Sequence, residues 1–247
     1  MLKPLIIIPS RLGSTRLQEK ALKIIDGQPM IWHVWSNALK ADIGPVVVAT
    51  DSKKISNVID AKGGNAILTD TNHQSGSDRV YEALCKFDPN FNYDLIINLQ
   101  GDMPIFDPKV LQNLVSKIKS EDITTLVCKA NLDEISDPNV VKAVISWDKN
   151  DKDNGTALYF SRTQVPYNAL TYWHHIGIYA WKRKSLKKFI SFPVSNLEKT
   201  EKLEQLRALE NGMIIKAVKT KENFIGVDTQ KDLNKVRNKI KNKSESN

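Results

Sequence analysis

The sequence predicts an α/β fold with a mostly parallel sheet covered by helices on both faces. In the first half of the chain, short apolar runs alternate with segments whose apolar residues recur every three or four positions. Strands that are apolar throughout are typical of parallel sheets buried on both faces. In the second half, strand-like segments follow one another closely. This change predicts a mixed sheet with a small antiparallel lobe.

The first half contains four predicted strands, each followed by a predicted helix. The strands are the apolar runs 5–8, 46–50, 66–68 and 95–99. One amphipathic helix covers Met30–Leu39 and a second starts at 51–52. Ser75 caps a third helix, with Asp78 at the reciprocal position of a capping box, and 107–108 opens a fourth.

The second half contains strands at 140–147, 157–161, 176–181 and 213–218. The first two of these are predicted to pair antiparallel. A charged helix is predicted over 197–210, and Thr229 with Asp232 caps the last helix. No Pro-, Gly- or Ser-rich linker interrupts the chain. We therefore expect one domain over residues 1–240, with a smaller lobe at about 130–195 and a disordered tail at 241–247.

Composition excludes several classes of protein. No apolar run approaches the roughly 20 residues that span a bilayer, and the start does not resemble a signal peptide. Two cysteines are too few for a disulfide framework, so we expect a reducing cytoplasm. The net charge is +8, but only 7 of the 36 basic residues are arginine. Scattered lysines do not indicate a nucleic-acid partner, which favours clustered arginines and exposed aromatics.

The most informative segment is the loop after the first strand, residues 9–20. It combines one glycine with three hydroxyl groups and three cations, Arg11, Arg16 and Lys20. Backbone N–H groups and fixed cations of such a loop can surround a polyanion, above all a nucleoside triphosphate. It is not a Walker P-loop, because the Gly-Lys-Ser/Thr ending is absent. Its place after a parallel strand is where open α/β sheets bind ligands.

Two carboxylates also follow predicted strands. Asp102 comes after the strand at 95–99, and Asp228 ends the short apolar run 224–228. Each could simply belong to a turn or a helix cap. Together with the polyanion loop they form a composite site in which cations neutralise phosphates and carboxylates hold Mg²⁺.

Two further clusters are open to more than one interpretation. The segment 73–79 could present free N–H groups at a helix start, or could be an ordinary capped helix. Arg162, His175 and Tyr179 could be brought together by adjacent strands to grip a carboxylate and hydroxyls. A lone strand histidine is also often structural.

These segments, in this order, resemble the 3-deoxy-manno-octulosonate (Kdo) cytidylyltransferases, also called CMP-Kdo synthetases. The resemblance runs from Leu5 to Val236. Its motifs are Ile8-Pro9-Ser10-Arg11, Ser14-Thr15-Arg16-Leu17 with Lys20, Val48-Ala49-Thr50-Asp51, His73-Gln74-Ser75-Gly76-Ser77-Asp78-Arg79, Gln100-Gly101-Asp102, Ala157-Leu158-Tyr159-Phe160-Ser161-Arg162, His175-Ile176-Gly177-Ile178-Tyr179, Leu203-Glu204-Gln205-Leu206-Arg207 and Gly226-Val227-Asp228-Thr229.

The resemblance implies a Rossmann-like nucleotide-diphospho-sugar transferase fold and a homodimer. It implies a Mg²⁺-dependent reaction of CTP with Kdo that gives CMP-Kdo and pyrophosphate for the inner core of lipopolysaccharide. The implied CTP-binding residues are Arg11, Ser14, Thr15, Lys20, Gln74, Ser75 and Arg79, and the implied metal ligands are Asp102 and Asp228. The implied Kdo residues are Gln100, Arg162, His175, Tyr179, Glu204 and Gln205. Arg11, Lys20, Asp102 and Asp228 would carry the catalysis.

The sequence departs from the family at two places. Gln18-Glu19 stands where the family usually has Pro-Gly, and Met103 stands where it usually has Glu. Glu19 would add a negative charge close to the phosphates. Three alternatives stay open: a cytidylyltransferase for another acidic sugar such as sialic acid, a basic nucleic-acid-binding module, and a catalytically silent member of the family.

Overall fold

The structure, a computed structural model, describes residues 2–14, 16–118, 121–222 and 224–244, with side chains up to residue 241. The chain divides into two compact units, Met1–Leu111 with Asn223–Asn247, and Gln112–Glu222. The second unit extends beyond the range 130–195 expected for the smaller lobe. The assignment of one domain to residues 1–240 stays a prediction.

The first part of the chain follows the predicted order of elements, except for two unpredicted two-residue strands within 24–29. The helix Met30–Leu39 and the strand Val46–Thr50 have the predicted bounds. Ser52 and Ser75 lie at helix starts as expected and accept backbone N–H groups two and three residues on, respectively. The described elements are β1 (Pro4–Ser10), β2 (Ile24–Ile25), β3 (Gln28–Pro29), α1 (Met30–Leu39), β4 (Val46–Thr50), α2 (Lys53–Asp60), β5 (Asn65–Leu68), α3 (Gly76–Phe87) and β6 (Leu95–Asn98). A short 3-10 helix, Lys20–Leu22, precedes β2.

In the first unit, four described strands pair in parallel in the order β5-β4-β1-β6, and β2 pairs antiparallel with β3. Ile6 pairs with both Val46 and Ile97, and all three are buried because this sheet lies in the core. Parallel strands end at the same edge of a sheet. The segments that follow β1, β4 and β6 therefore meet at the carboxyl edge of this unit.

The remaining described elements are α4 (Lys109–Lys117), β7 (Ile123–Lys129), α5 (Leu132–Ser136), β8 (Lys142–Trp147), β9 (Asn154–Ser161), β10 (Trp173–Lys182), α6 (Arg183–Ile190), α7 (Asn196–Glu201), α8 (Gln205–Glu210), β11 (Ile215–Lys219) and α9 (Gln230–Ser244). Strand β7 and helices α5 and α6 are missing from the sequence-based assignment. The run Ile-Thr-Thr-Leu-Val at the start of β7 has the β-branched composition of a strand, so the signal was present.

In the second unit, the described strands lie in the order β10-β7-β11-β9-β8. Strands β8 and β9 pair antiparallel, which confirms that prediction, and only β11 and β7 pair in parallel. An additional antiparallel pairing of β10 with β8 connects the two ends of this row. The register of β10 against β7 shifts between Ile176 and Tyr179, where β10 carries an irregularity at Gly177-Ile178.

Two predictions about helices were wrong. The segment 197–210 is not one helix, because Lys202 adopts a left-handed conformation with φ 55° and separates α7 from α8. The last helix includes residues 241–244, which were expected in the disordered tail, since no glycine or proline ends it earlier. Residues 245–247 lie outside the described part of the chain.

Candidate active site

The loop after β1 is attached to the first unit at two points. The backbone N–H of Leu12 donates to Asp51 Oδ1 at 2.9 Å, and Asp51 directly follows β4, the parallel neighbour of β1. Leu17 is buried in an apolar cluster. Arg11 and Arg16, which directly precede Leu12 and Leu17, are exposed. The loop can therefore present its cations to a polyanion without losing its own position.

The carboxylates of Asp102 and Asp228 lie side by side. Asp102 follows β6, and the backbone N–H of Val227 donates to its carbonyl oxygen at 2.9 Å, which brings the next residue, Asp228, alongside. Lys20 Nζ lies 2.8 Å from Asp102 Oδ2 and 2.9 Å from Asp228 Oδ1. Arg16 contacts the other oxygen of Asp228 at 3.0 Å. Residues far apart in sequence thus form one charged cluster.

The two carboxylates keep Lys20 charged. Burial lowers the pKa of Lys20, but the charges of Asp102 and Asp228 and their hydrogen bonds together raise it above its ordinary value. The ammonium group therefore carries its full charge at neutral pH.

The carboxylate pair fits a divalent cation that a substrate helps to bind. One oxygen from each side chain already converges on a single positive charge, the Lys20 ammonium. Mg²⁺ commonly takes one or two carboxylates and completes its shell with water and phosphate oxygens. Within the described residues, no group of three or more His, Cys, Asp or Glu side chains could hold a metal. Asp102 and Asp228 are thus suited to a metal–nucleotide complex rather than to a cage made only of protein groups.

A cavity of about 320 Å³ opens beside this cluster, within the first unit. Its volume suits a small ligand. The predicted residues that line it are Arg11, Ser14, Lys20, Gln74, Ser75, Arg79, Gln100, Asp102 and Asp228. Thr15, also predicted to bind CTP, lies outside the described residues.

Arg79 lines the cavity, but its guanidinium is bound to the protein. It donates to Thr69 Oγ1 at 2.6 Å and to Asp51 Oδ2 at 3.1 Å, and it is nearly fully buried. Because Asp51 also accepts the N–H of Leu12, Arg79 supports the position of the phosphate loop. Its predicted direct contact with CTP stays a prediction.

Two titratable lining residues, Arg16 and His73, are not among the site residues that the family resemblance implies, although Arg16 was recognised as a cation of the loop. His73 Nε2 contacts Glu82 Oε2, and Glu82 also pairs with Lys86 at 2.6 Å. Burial raises the pKa of Glu82, but hydrogen bonds from Lys86, the Asp70 N–H and His73 lower it to about 2. The use of arginine at position 16 in a lysine-rich chain was the available signal for Arg16. His73 adjoins a predicted residue.

Gly101 allows two backbone segments of the site to approach closely. A Cβ atom at this position would lie 2.7 Å from the carbonyl oxygen of Pro9. The carbonyl oxygen belongs to the backbone and a Cβ is fixed to it, so neither atom could move aside without moving the chain. The glycine therefore brings Asp102 next to the end of β1, where the phosphate loop begins.

The two departures from the family have different surroundings. Glu19 has φ 49° and ψ 39°, a left-handed conformation that favours glycine. Its carboxylate pairs with Lys54 at 3.0 Å, so the added charge is directed to a surface lysine. Met103 is half-buried and donates its N–H to the carbonyl of Gln100 at 3.3 Å. Nothing in the structure assigns its side chain a role.

Three predicted Kdo residues lie together in the second unit. The His175 ring is buried 5.5 Å from the Tyr179 ring, and its Nδ1 lies 3.5 Å from the Gln205 amide nitrogen. Its Nε2 lies 3.0 Å from Thr125 Oγ1. Burial lowers the pKa of His175 to about 3, helped by the neighbouring His174, so the ring is neutral at pH 7. His175 can offer hydrogen bonds there, but no charge.

Arg162 and Glu204, the other two predicted Kdo residues of this unit, make fewer contacts with the His175 cluster. Arg162 donates from Nε to the carbonyl of Glu201 at 2.8 Å, and from its terminal nitrogens to the carbonyls of Pro138 and Lys202. In this structure the Arg162 guanidinium therefore donates to backbone carbonyl groups. The charge of Glu204 helps burial to raise the pKa of Tyr179, which places Glu204 near the cluster.

The chain is similar to known cytidylyltransferases over most of its length. The profile of the family described as Cytidylyltransferase matches residues 5–220. A 3-deoxy-manno-octulosonate cytidylyltransferase of Paramagnetospirillum magneticum is 46% identical, and the alignment covers 97% of this chain and 98% of that enzyme. The enzyme of that name from Bartonella bacilliformis is 47% identical over 96% of this chain and 98% of its own.

Solved structures show the same fold. A CMP:2-keto-3-deoxy-manno-octonic acid synthetase complexed with CTP has a TM-score of 0.88 and 36% identity, covering 98% of this chain and 99% of its own. The 4-diphosphocytidyl-2C-methyl-D-erythritol synthase of Anaerococcus prevotii, at 13% identity over 96% of this chain and 98% of its own, shares the mixed α/β fold with a TM-score of 0.64. The chain belongs to the family of 3-deoxy-manno-octulosonate cytidylyltransferases.

Proposed function

We propose that this chain transfers CMP from CTP to the anomeric hydroxyl of Kdo, giving CMP-Kdo and pyrophosphate for the inner core of lipopolysaccharide. The observation that carries the proposal is the charged cluster of Lys20, Asp102 and Asp228 at a cavity of nucleotide-binding size. The full-length similarity to enzymes named for this reaction supports the choice of substrates. The aligned part of this chain covers 98% of each of these two relatives.

The cations of the phosphate loop act on the triphosphate. Arg11 and Arg16 are exposed at the cavity, and Lys20 reaches into it from the 3-10 helix. Fixed positive charges at these places neutralise the phosphate oxygens and stabilise the charge that develops on the leaving pyrophosphate. Positioning and electrostatics dominate phosphoryl and nucleotidyl transfer, so no side chain has to form a covalent intermediate.

Asp102 and Asp228 hold Mg²⁺ in this proposal. The metal would neutralise phosphate charge and make the Kdo hydroxyl more acidic. The two carboxylates that would hold the metal are those that Lys20 contacts in the structure, through Asp102 Oδ2 and Asp228 Oδ1. The convergence of these oxygens on one positive charge supports the assignment.

The second unit binds Kdo in this proposal. Arg162, His175, Tyr179, Glu204 and Gln205 form the pocket, and the neutral His175 contributes hydrogen bonds. Gln100, which lines the cavity, is the remaining residue proposed to contact the sugar or its metal. We also propose that mainly antiparallel strands of this unit form the small substrate lobe. We propose further that helices cover both faces of the parallel strands of the first unit.

A cytoplasmic homodimer is the proposed form of the enzyme. Several large apolar side chains of the second unit are mostly exposed, among them Leu132, Tyr167 and Leu170, and a second copy would cover such side chains. No helix in the described residues is long and apolar enough to cross a membrane. We propose neither a nucleic-acid partner nor membrane insertion.

Pyrophosphate release tests the proposal. The purified protein is incubated with CTP and Mg²⁺, and with Kdo, sialic acid or no sugar. Release only with Kdo is expected. Pyrophosphate release only with sialic acid would show that the substrate is another acidic sugar. No release from protein that still binds CTP would identify a catalytically silent family member.

The Asp102→Asn variant tests the metal assignment. We expect turnover to fall roughly 10²–10³-fold while the melting temperature changes little, because the amide keeps the shape but not the charge of the carboxylate. Asp94→Asn is the matched control, since Asp94 precedes the same strand, β6, at its other end. Unchanged turnover in Asp102→Asn would refute the assignment.

A further inference from the structure

Lys20 occupies the position between the two carboxylates that a divalent cation would need. Its ammonium nitrogen lies 2.8 Å from Asp102 Oδ2 and 2.9 Å from Asp228 Oδ1, and its side chain is only 16% exposed. We propose that Lys20 is a placeholder for the metal. It pairs with both carboxylates in the free protein and moves to the triphosphate when the nucleotide enters, so that the metal binds only together with the nucleotide. This inference rests on the proposed function of the site.

The ammonium group and a metal ion exclude each other at this position. A metal ion held by both carboxylates would occupy the space between them, which the ammonium group fills in the structure. Two cations that share these carboxylates would lie within a few ångströms of each other in a partly buried site, where repulsion between charges is poorly screened. Lys20 already forms an ion pair with each of these carboxylates. A metal arriving alone must therefore displace a stable ion pair.

Lys20 can leave the carboxylates without any movement of its backbone. Its own segment is fixed, because the N–H of Leu22 donates to the carbonyl of Glu19 at 2.9 Å and Ala21 is buried. The flexible four-carbon stem of lysine can carry the ammonium group elsewhere. Arg11 and Ser14 line the same cavity, which is the expected position of the phosphates. A triphosphate there offers the ammonium group a more negative partner.

Arg16 does not take the same role. It contacts Asp228 Oδ2, the oxygen that Lys20 does not use, and its side chain is 55% exposed. Lys20 therefore contacts Asp102 Oδ2 and Asp228 Oδ1 without competition from Arg16. The exchange therefore depends on one residue. Because coupling between two ligands is reciprocal, the same exchange makes the metal strengthen nucleotide binding.

Metal binding without nucleotide tests the proposal directly. Mn²⁺, used as the probe, is titrated into the protein and the free ion is counted by electron paramagnetic resonance. Lys20→Met should bind Mn²⁺ about tenfold or more tightly than the unaltered protein, because the carboxylates lose their resident cation. Lys23→Met, which removes one positive charge three residues away, should change the affinity less than about threefold. Equal or weaker binding by Lys20→Met would overturn the proposal.

A second measurement needs no variant and so does not depend on how Lys20→Met folds. The side-chain ammonium signal of Lys20 is followed by nuclear magnetic resonance in protein labelled with ¹⁵N-lysine. Millimolar Mg²⁺ alone should leave the signal in place, whereas CTP with Mg²⁺ should shift it. A shift of this signal at submillimolar Mg²⁺ without CTP would overturn the proposal.

The two proposals fail in different ways. Loss of the Lys20 effects in a protein that still releases pyrophosphate with Kdo would reject the placeholder and keep the proposed function. The placeholder effects in a protein that releases no pyrophosphate with any sugar would reject the reaction and keep the exchange.

Discussion

At the scale of single residues, Glu19 is the clearest conflict between the sequence and the backbone. Its φ of 49° lies in the left-handed region, where an L-residue with a Cβ is destabilised by about 1–2 kcal/mol. Its contact with Lys54 joins two substantially exposed side chains, and such ion pairs contribute little to stability. The turn before Lys20 is thus strained without a strong compensating contact.

Glu19→Gly should stabilise the protein for this reason. We expect a gain of about 1 kcal/mol, partly offset by the greater freedom of glycine in the unfolded chain. For a chain of this size the melting temperature should rise by about 2–4 °C. Scanning calorimetry measures it.

Glu19→Ala separates backbone strain from charge. This variant removes the carboxylate and the Lys54 contact but keeps the Cβ, so we expect no gain in melting temperature. Equal melting temperatures for the two variants would show that the charge, and not the conformation, is the source of the effect.

The sequence placed the charged residues of the site but not their pairing. Asp102, Asp228 and Lys20 stand out because they follow strands or lie in a loop rich in donors. That Lys20 holds both carboxylates could not be predicted, because it depends on the backbone hydrogen bond from Val227 to Asp102. That bond joins segments 125 positions apart, and short-range patterns carry no information at such a separation.

At the scale of elements, Asp51 connects strand β4 to the phosphate loop. Its Oδ1 accepts the Leu12 N–H at 2.9 Å, and its Oδ2 pairs with the buried Arg79. Thr69 Oγ1 is the other acceptor of that guanidinium. Removing either acceptor leaves Arg79 underpaired, but only Asp51 touches the loop.

Asp51→Ala should therefore weaken CTP binding, and Thr69→Val should not. Both variants should lower stability, Asp51→Ala by about 3–5 kcal/mol because it leaves a buried charge without its partner. Only Asp51→Ala should raise the KM for CTP, roughly tenfold, through the lost Leu12 hydrogen bond. Steady-state kinetics at low temperature measures it, and an equal rise in both variants would contradict the loop-anchoring role.

Helices in the second unit show what the pattern of apolar residues cannot predict. The leucines of the segment 197–210 recur with helical spacing and no glycine or proline interrupts them. Arg162 stabilises the break at Lys202, because it donates to the carbonyls of Glu201 and Lys202. Those carbonyls would otherwise be left without partners at the end of α7. A tertiary contact thus overrides a local preference.

At the scale of the whole molecule, the alternation of strands and helices was predictable in the first unit and less so in the second. Parallel strands such as β4 are apolar throughout and bounded by polar turns, so their limits are visible in sequence. Strand β7 ends in Cys128-Lys129 and is followed closely by the short helix α5. Its place between β10 and β11 depends on partners far along the chain.

Stability of the whole molecule should fall on mild acidification because of His175. The ring lies against Phe160 and Tyr179, with Thr125 and Gln205 at its nitrogens. Burial lowers its pKa from about 6.5 to about 3. Between these values the unfolded chain binds a proton at this site and the folded chain does not. The stabilisation is therefore complete above pH 6.5 and is lost as the pH falls toward 3.

His175→Gln should flatten this dependence, because glutamine keeps polar contacts with Thr125 but does not titrate. The free energy of unfolding, measured with urea at pH 7.5, 6.5, 5.5 and 5.0, should fall more steeply in the unaltered protein, by up to about 1.4 kcal/mol per pH unit. Burial also lowers the pKa of His174, but His174 is present in both proteins and so largely cancels in the comparison. Below about pH 4.5 Glu82, whose pKa is lowered to about 2, adds its own loss. Parallel curves between pH 7.5 and 5.0 would contradict the prediction. They would mean that the pKa of His175 is not lowered in the folded protein and that water reaches the ring.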